Sequence, residues 1–340
     1  MPRAHTTPER LSSLPVPACS AAPAGKAPAS KATPAKDGAT NRRAPFMACS
    51  MSTATLGEAP IRSPASEFWR RFRGKRVALI SLGLILILVF AAALAPWIAP
   101  FDPATPDYDA LLEGPGWRHL AGTDTFGRDI LSRMIWGGRI SLTVGFLSVL
   151  LGCVVGVTLG MIGGFFGGWL DGLLMRIMDV LLAFPGILPA IAVVALLGTG
   201  IVNVIYAIAI SAVPVFARLV RGTTLALKQT MYVQASRGIG VSRTQLMLRH
   251  ILPGTMPAVI VYASLRMGTS ILTAAALSFI GLGAQPPSPE WGAMLSDGRS
   301  YLGVADHVTI FPGMAILITV LAFNLLGDGL RDALDQKLRT

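Results

Sequence analysis

The sequence predicts an all-α, polytopic membrane protein with about six transmembrane helices, and three observations carry this. First, a bilayer core is crossed by roughly 20 apolar residues in a helix. Uncharged runs of that order recur at Val77 to Phe101, Ile140 to Leu170, Val180 to Ala217 and Val308 to Gly327. Ile251 to Pro289 is another, interrupted only by Arg266. Second, 52% of the 340 residues are hydrophobic and only 14% charged, far from a soluble domain. Third, Lys and Arg fall unevenly on the connecting segments, as they do when one side of a membrane protein faces the cytoplasm.

Taken in order, residues 1 to about 65 are rich in Pro, Ala, Ser and Thr. Such a segment buries too little apolar surface to fold and is expected to be a disordered extension. No apolar stretch follows its early charges, so it does not read as a signal peptide. Met47 and Met51 near its end leave a downstream start as the alternative to a translated extension. Glu67 to Arg76 then interleaves Arg70, Arg71, Arg73, Lys75 and Arg76 with Phe68, Trp69 and Phe72. Cations for an anionic leaflet beside aromatics for the interface make a juxtamembrane anchor, which places the N-terminus in the cytoplasm. The first span is Val77 to about Ala99, leading into an outer loop over residues 100–139. Anchor, first span and loop form one unit, 66–139.

A core of five further transmembrane helices is expected over 140–331. The second span, Ile140 to Gly163, carries Gly152, Gly156, Gly160 and Gly164 at four-residue spacing, which lets another helix approach closely. A short inner turn, Gly167 to Arg176, leads to a third span, Ile177 to Leu197, which Pro185 and Pro189 should kink. The fourth span is Ile201 to Val220. A basic stretch follows within 222–253, YVQASRGIGVSRTQLMLRHILP, carrying Arg237, Arg243, Arg249 and His250 between two membrane-grade runs. It must lie outside the hydrocarbon, and reads as a platform presented to a soluble partner. Pro253 and Pro257 bracket its exit into a fifth span, Pro257 to Ile280. Gly281 to Gly292 is a Pro-rich outer loop, Val308 to Gly327 the sixth span, and 332–340 a polar cytoplasmic tail.

On this topology Arg176, Arg218, Arg221, Lys228, Arg331, Lys337 and Arg339 join the platform and anchor cations inside. The long outer loops hold Arg118, Arg128, Arg133, Arg139 and Arg299, the first four among Asp102, Asp107, Asp109, Glu113, Asp124 and Asp129. Both termini are therefore expected inside. The net charge of +11 reads as this orientation signal and not as a nucleic-acid footprint. Cys19, Cys49 and Cys153 are scattered and the histidines do not cluster, so no metal site is expected.

The stretch QASRGIGVSRTQLMLRHILP resembles the cytoplasmic signature of permease subunits of bacterial ATP-binding-cassette (ABC) importers. Ala235, Gly240, Leu252 and Pro253 match it; Gln234 stands for the usual Glu, Ser236 for Ala, and His250 where Ile is common. HLAGTDTFGRDILSRMIWGGRISL, LSFIGLGAQPPSPEWGAMLSDGR and LAFNLLGDGLRDAL narrow the likeness to the second, C-type permease of the dipeptide/oligopeptide/nickel group. Within that group EFWRRFR, ARLVRGTTLALKQ and LRHILPGT look most similar to the glutathione importer's permease, and the resemblance covers about 66 to 338.

The resemblance implies the type I permease fold and a heteromeric importer. A second permease shares the translocation pathway, ATPase subunits bind ATP and Mg, and a periplasmic binding protein delivers peptide. No cofactor and no catalytic residue is expected in this chain, which is surrounded by membrane lipid. Gln234, Ala235, Ser236, Arg237, Gly240, Arg243, Leu252 and Pro253 are the implied ATPase-coupling residues, with Ile239, Leu246 and Leu248 as apolar docking groups. Gly240 permits a sharp break between helical pieces. Arg266 is a candidate pathway residue: a central arginine costs roughly 2.5–3.5 kcal/mol on insertion scales. It faces either substrate carboxylates or a structural acid such as Asp179. The alternatives are a nickel or small-solute import permease and, from a different class, a secondary transporter. The latter fits poorly, since no acid stands at mid-membrane depth. A membrane enzyme lacks paired carboxylates or a Ser/His arrangement there, and a channel would need no ATP.

Overall fold

Residues 64–334 are described by a computed structural model, and their regular elements are all helices, with no strand among them. The expected extension lies outside the described residues, except that Pro64 and Ala65 already begin α1, Pro64–Arg73. The tail beyond 334 also lies outside them. Among the described residues five helices are long and apolar enough to cross a membrane, and a sixth span forms if one bent pair counts as a single crossing.

The first crossing, α2 (Arg76–Ala93), is apolar all round. Ile80, Ile87 and Phe90 stay exposed on it, the surface a lipid-facing helix presents. It breaks at Leu94 into a single short turn, α3 (Ala95–Ile98), with Pro96 near its start, where a missing N–H costs nothing. The second crossing, α4 (Ile130–Phe166), starts ten residues before the expected Ile140. At 37 residues it is about 55 Å long, so it overhangs a core of roughly 30 Å. The reason is local: Asp129 caps it, its carboxylate accepting from Ser132 N at 2.8 Å.

Two expectations about the third crossing are corrected. The supposed turn from Gly167 to Arg176 is helical, within α5 (Gly168–Leu182). The supposed kinked span is two helices, α5 and α6 (Ile187–Leu197), meeting at 91°. Pro185 sits in the break, where it removes a donor and turns Phe184 away from helical geometry. Pro189 produces no kink, because in the first turn of α6 its missing N–H has no partner to lose.

The fourth crossing, α7 (Ile201–Lys228), packs on α4, and the glycine row is the seam. A Cβ on Gly152 would lie 2.7 Å from Ala212 Cβ, and one on Gly156 would lie 2.7 Å from Val213 O. The expected close approach is therefore real, and α7 is its partner. Residue numbers rise together along both helices at this seam, so α4 and α7 run parallel.

After α7 come α8 (Met231–Gly238), α9 (Arg243–Leu246), a π-turn at Met247–Ile251, and α10 (Leu252–Phe279). The short α11 (Trp291–Gly298) and the last crossing, α12 (His307–Leu334), follow. Helix therefore continues through the start of the expected polar tail. Phe216, Val220, Ile251, Ile271 and Phe323 share one core from α7, the π-turn, α10 and α12.

The bundle has two distinct ends. Lys75 pairs with Asp332 at 2.9 Å, Lys228 donates to Phe165 O at 2.7 Å, and Arg221 clasps Asp171 through two bonds of 2.6 and 2.7 Å. These place residues 75, 165–171, 221–251 and 332 at one end, here the Gly240 end. The other carries 100–129, where Phe101 N donates to Ser132 Oγ, and 281–306, where His307 bonds Thr123 O. This partition matches the one the basic residues predict.

Candidate functional site

The expected platform is built from two short helical pieces around one glycine. Gly240 has φ +86°, a left-handed conformation that an L side chain resists, and it ends α8 sharply. Ser242 then restarts the helix, its hydroxyl accepting from Gln245 N. Buried Val233 seats α8, and buried Leu246, Met247 and Ile251 seat the second piece, all in the main core.

What remains outward is cationic and apolar. Arg237, Arg243 and Arg249 are exposed, as are Gln234, Ala235, Gly240 and Pro253; Ser236 and Leu252 are partly buried. Ile239 is 82% exposed and Leu248 55%. Leu246 is a correction to the expected docking set, since only 3% of it is accessible and it belongs to the chain's own core. Met231 and Tyr232 take its place on the exposed side and were not expected. Their signal was available, because they stand one helical turn before Ala235 and Ser236 on the same short helix.

Gln234, the departure from the usual acid, donates to Gln229 O at 3.1 Å and so ties α8 to the end of α7. Ser236 donates to Tyr232 O at 2.8 Å. Under α8 lies a cleft of about 530 Å³ lined by Lys228, Arg237 and Arg243 with Phe165, Val233 and Val241 among its apolar walls. No carboxylate lines it.

The second piece of the platform joins α10 without a break, as one helix from Arg243 to Phe279. Pro253 cannot donate to Arg249 and its ring crowds that carbonyl. The π-turn just upstream absorbs this, with Leu252 N bonding Met247 O. Pro253 and Pro257 thus lie inside the helical rod and do not mark its boundary.

Arg266 sits at the midpoint of α10, partly buried. Asp179, its proposed structural partner, is paired with Arg218 instead. Arg266 Nε is buried and bonds no described group.

At the opposite end the acids and arginines of the 100–129 segment neutralise one another. Asp124 binds Arg128 at 2.7 Å and lies 3.5 Å from Arg133; Asp107 binds Arg118; Asp129 accepts from His119 at 3.1 Å. Glu290 is also buried. It accepts from Ser141 Oγ at 3.2 Å and caps α11 through Ala293 N at 2.9 Å. These groups pin both extramembrane segments onto α4, a role sequence reading did not assign them.

Residues 156–340 match the family model described as binding-protein-dependent transport system inner membrane component. Residues 63–115 match the N-terminal TM domain of oligopeptide transport permease C. The chain is 57% identical over 280 residues to the glutathione transport system permease protein GsiD of Salmonella typhimurium, covering 82% of this chain and 92% of that one. Its counterpart from Escherichia coli O157:H7 is 54% identical over the same coverage. An inward-facing structure of the MetNI methionine ABC transporter aligns with TM-score 0.51 and 20% identity, over 61% of this chain and 98% of that chain, which shows the fold. An all-helical multi-pass bundle with the Gly240 signature and these matches belongs to one family: the chain is a binding-protein-dependent transport system inner membrane component, a C-type permease of ABC importers.

Proposed function

We propose that the chain forms the translocation pathway of an ATP-driven peptide importer together with a second permease, with glutathione as the leading cargo. The named relatives support this cargo through their extensive identity to the chain. ATPase subunits, carrying ATP and Mg, dock on the Gly240 end; a periplasmic binding protein delivers peptide to the Asp124 end. Both termini then lie in the cytoplasm, in keeping with the cations gathered at the Gly240 end.

One observation carries the coupling mechanism: the second piece of the exposed platform, from Arg243, is continuous with α10 as one 37-residue helix, and α8 is hinged to it at Gly240. An α-helix of about 55 Å transmits a tilt at one end as a displacement at the other. Gln234, Ala235, Ser236, Arg237, Gly240 and Arg243 form the docking face. Leu252 and Pro253 carry the motion past the π-turn into α10. ATPase closure then rocks α10 against α7 and α4 around the partly exposed face of the bundle.

The test is uptake. The complete complex, reconstituted in liposomes with ATP inside and loaded binding protein outside, is expected to accumulate labelled glutathione. No ATP-dependent uptake of glutathione or of small peptides by an assembled, ATP-hydrolysing complex overturns the reading.

A further inference from the structure

On α10, Tyr262, Arg266, Thr269, Thr273 and Ala276 succeed one another at spacings of four and three, so they share one helical face. None of the five is buried, whereas Met267, Gly268, Ser270, Ile271, Ala274 and Ala275 behind them are. The row is thus an accessible polar stripe within a membrane-spanning helix. Thr269 donates to Arg266 O at 3.0 Å and Thr273 to Thr269 O at 2.8 Å. Their hydroxyl hydrogens are used locally and their oxygens remain as acceptors. Tyr262 stacks edge-on against Phe216 of α7, with ring centroids 5.0 Å apart. That contact holds the lower part of the stripe beside the neighbouring crossing.

Arg266 is the charged member, placed at the midpoint of α10. Its guanidinium makes no ion pair among the described residues, and its Nε is buried with no partner. Three other arginines of the crossings have neighbours that compensate them: Arg221 has Asp171, Arg218 has Asp179, and Arg139 has the Trp136 ring at 5.7 Å. A lipid-facing role does not suit Arg266, because beyond Arg76 at its start the exposed side of α2 is aliphatic and aromatic.

We infer that this stripe lines the water-filled path and that Arg266 binds a free carboxylate of the peptide in transit. This rests on the reading of the chain as a peptide permease and adds the chemistry of selection: peptides bearing carboxylates are favoured over neutral solutes. A single partly hydrated guanidinium suits transit, since a pathway site must bind well enough to admit the substrate and weakly enough to release it.

The experiment uses the complete complex in liposomes. Arg266→Gln is expected to assemble in wild-type yield and to lose glutathione uptake roughly ten- to a hundredfold, the scale of one charged hydrogen-bonded contact. Arg266→Lys is expected to retain most of it. In a background with native cysteines replaced, Arg266→Cys is expected to react with water-borne methanethiosulfonates. An ethylammonium reagent restores uptake and an ethylsulfonate does not. Uptake by Arg266→Gln at the wild-type rate overturns the inference. So does loss of assembly in both the Gln and Lys variants, which would make Arg266 the counter-ion of an acid on the second permease. So does an Arg266→Cys variant inert to both reagents. If the wild-type complex imports no peptide, the proposed function falls, while the thiol reactivity of Arg266→Cys still decides whether the stripe is water-lined.

Discussion

At the scale of single residues, the most consequential group is Asp124. It is 6% exposed and serves Arg128, itself 6% exposed, and Arg133, 2% exposed. Removing one partner of a buried ionic group leaves uncompensated charge and costs roughly 3–5 kcal/mol. Asp124→Ala is therefore expected to lower the thermal unfolding midpoint of the purified permease sharply. Arg118→Ala should change it little, because the Asp107–Arg118 pair is largely exposed. Gly240 gives a cleaner functional comparison. An added Cβ there meets nothing within 4 Å among the described residues, so Gly240→Ala carries chiefly the left-handed backbone penalty, about 1–2 kcal/mol for any L residue. Gly240→Ala and Gly240→Trp share that penalty. The further loss expected in Gly240→Trp, roughly tenfold or more in coupled uptake, belongs to the docked partner, as expected for a blocked interface centre. Equal uptake by the two variants would show that nothing docks at Gly240.

At the scale of elements, the α4–α7 seam and the α9–α10 rod do opposite jobs. The seam needs small residues: Gly156 would bring a Cβ to 2.5 Å of Phe216 Cβ and 2.7 Å of Val213 O. Gly156→Leu forces the two helices apart and is expected to cost at least about 1–3 kcal/mol, read as reduced yield of folded permease in detergent. Gly172→Leu, where nothing lies within 4 Å of the added Cβ, is the control and should be tolerated. The rod needs continuity instead. Proline normally ends or kinks a helix, and here the π-turn at Met247–Ile251 keeps the platform and α10 in one piece. A long proline-bearing run thus reads as two elements in sequence and forms one in space. The reverse holds at Pro185, where one apolar run becomes α5 and α6 at 91°.

At the scale of the whole molecule, function follows from which segments share an end. Ile239, 82% exposed, and Trp117, fully exposed, stand at opposite ends of the bundle. With native cysteines replaced, Trp117→Cys is expected to react with a membrane-impermeant maleimide on intact spheroplasts. Ile239→Cys should react only after lysis, and should be shielded once ATPase subunits are bound. Labelling of both in intact spheroplasts would overturn the proposed orientation.

The amino-acid sequence alone determined the fold class, the number of crossings to within the bent pair, the glycine seam and the position of the Gly240 break. Each of these rests on local chemistry: apolar length, small-residue spacing, and a conformation only glycine adopts readily. It also marked Arg266, because one charge in a long apolar run is visible without coordinates. Only the tertiary structure decided what each charged group faces. Asp179 went to Arg218, Leu246 turned into the core, and the acids of 100–129 were matched to their own arginines, because partners distant in sequence meet only when helices pack. For the same reason, packing alone left Arg266 without a counter-ion among the described residues, on an accessible stripe.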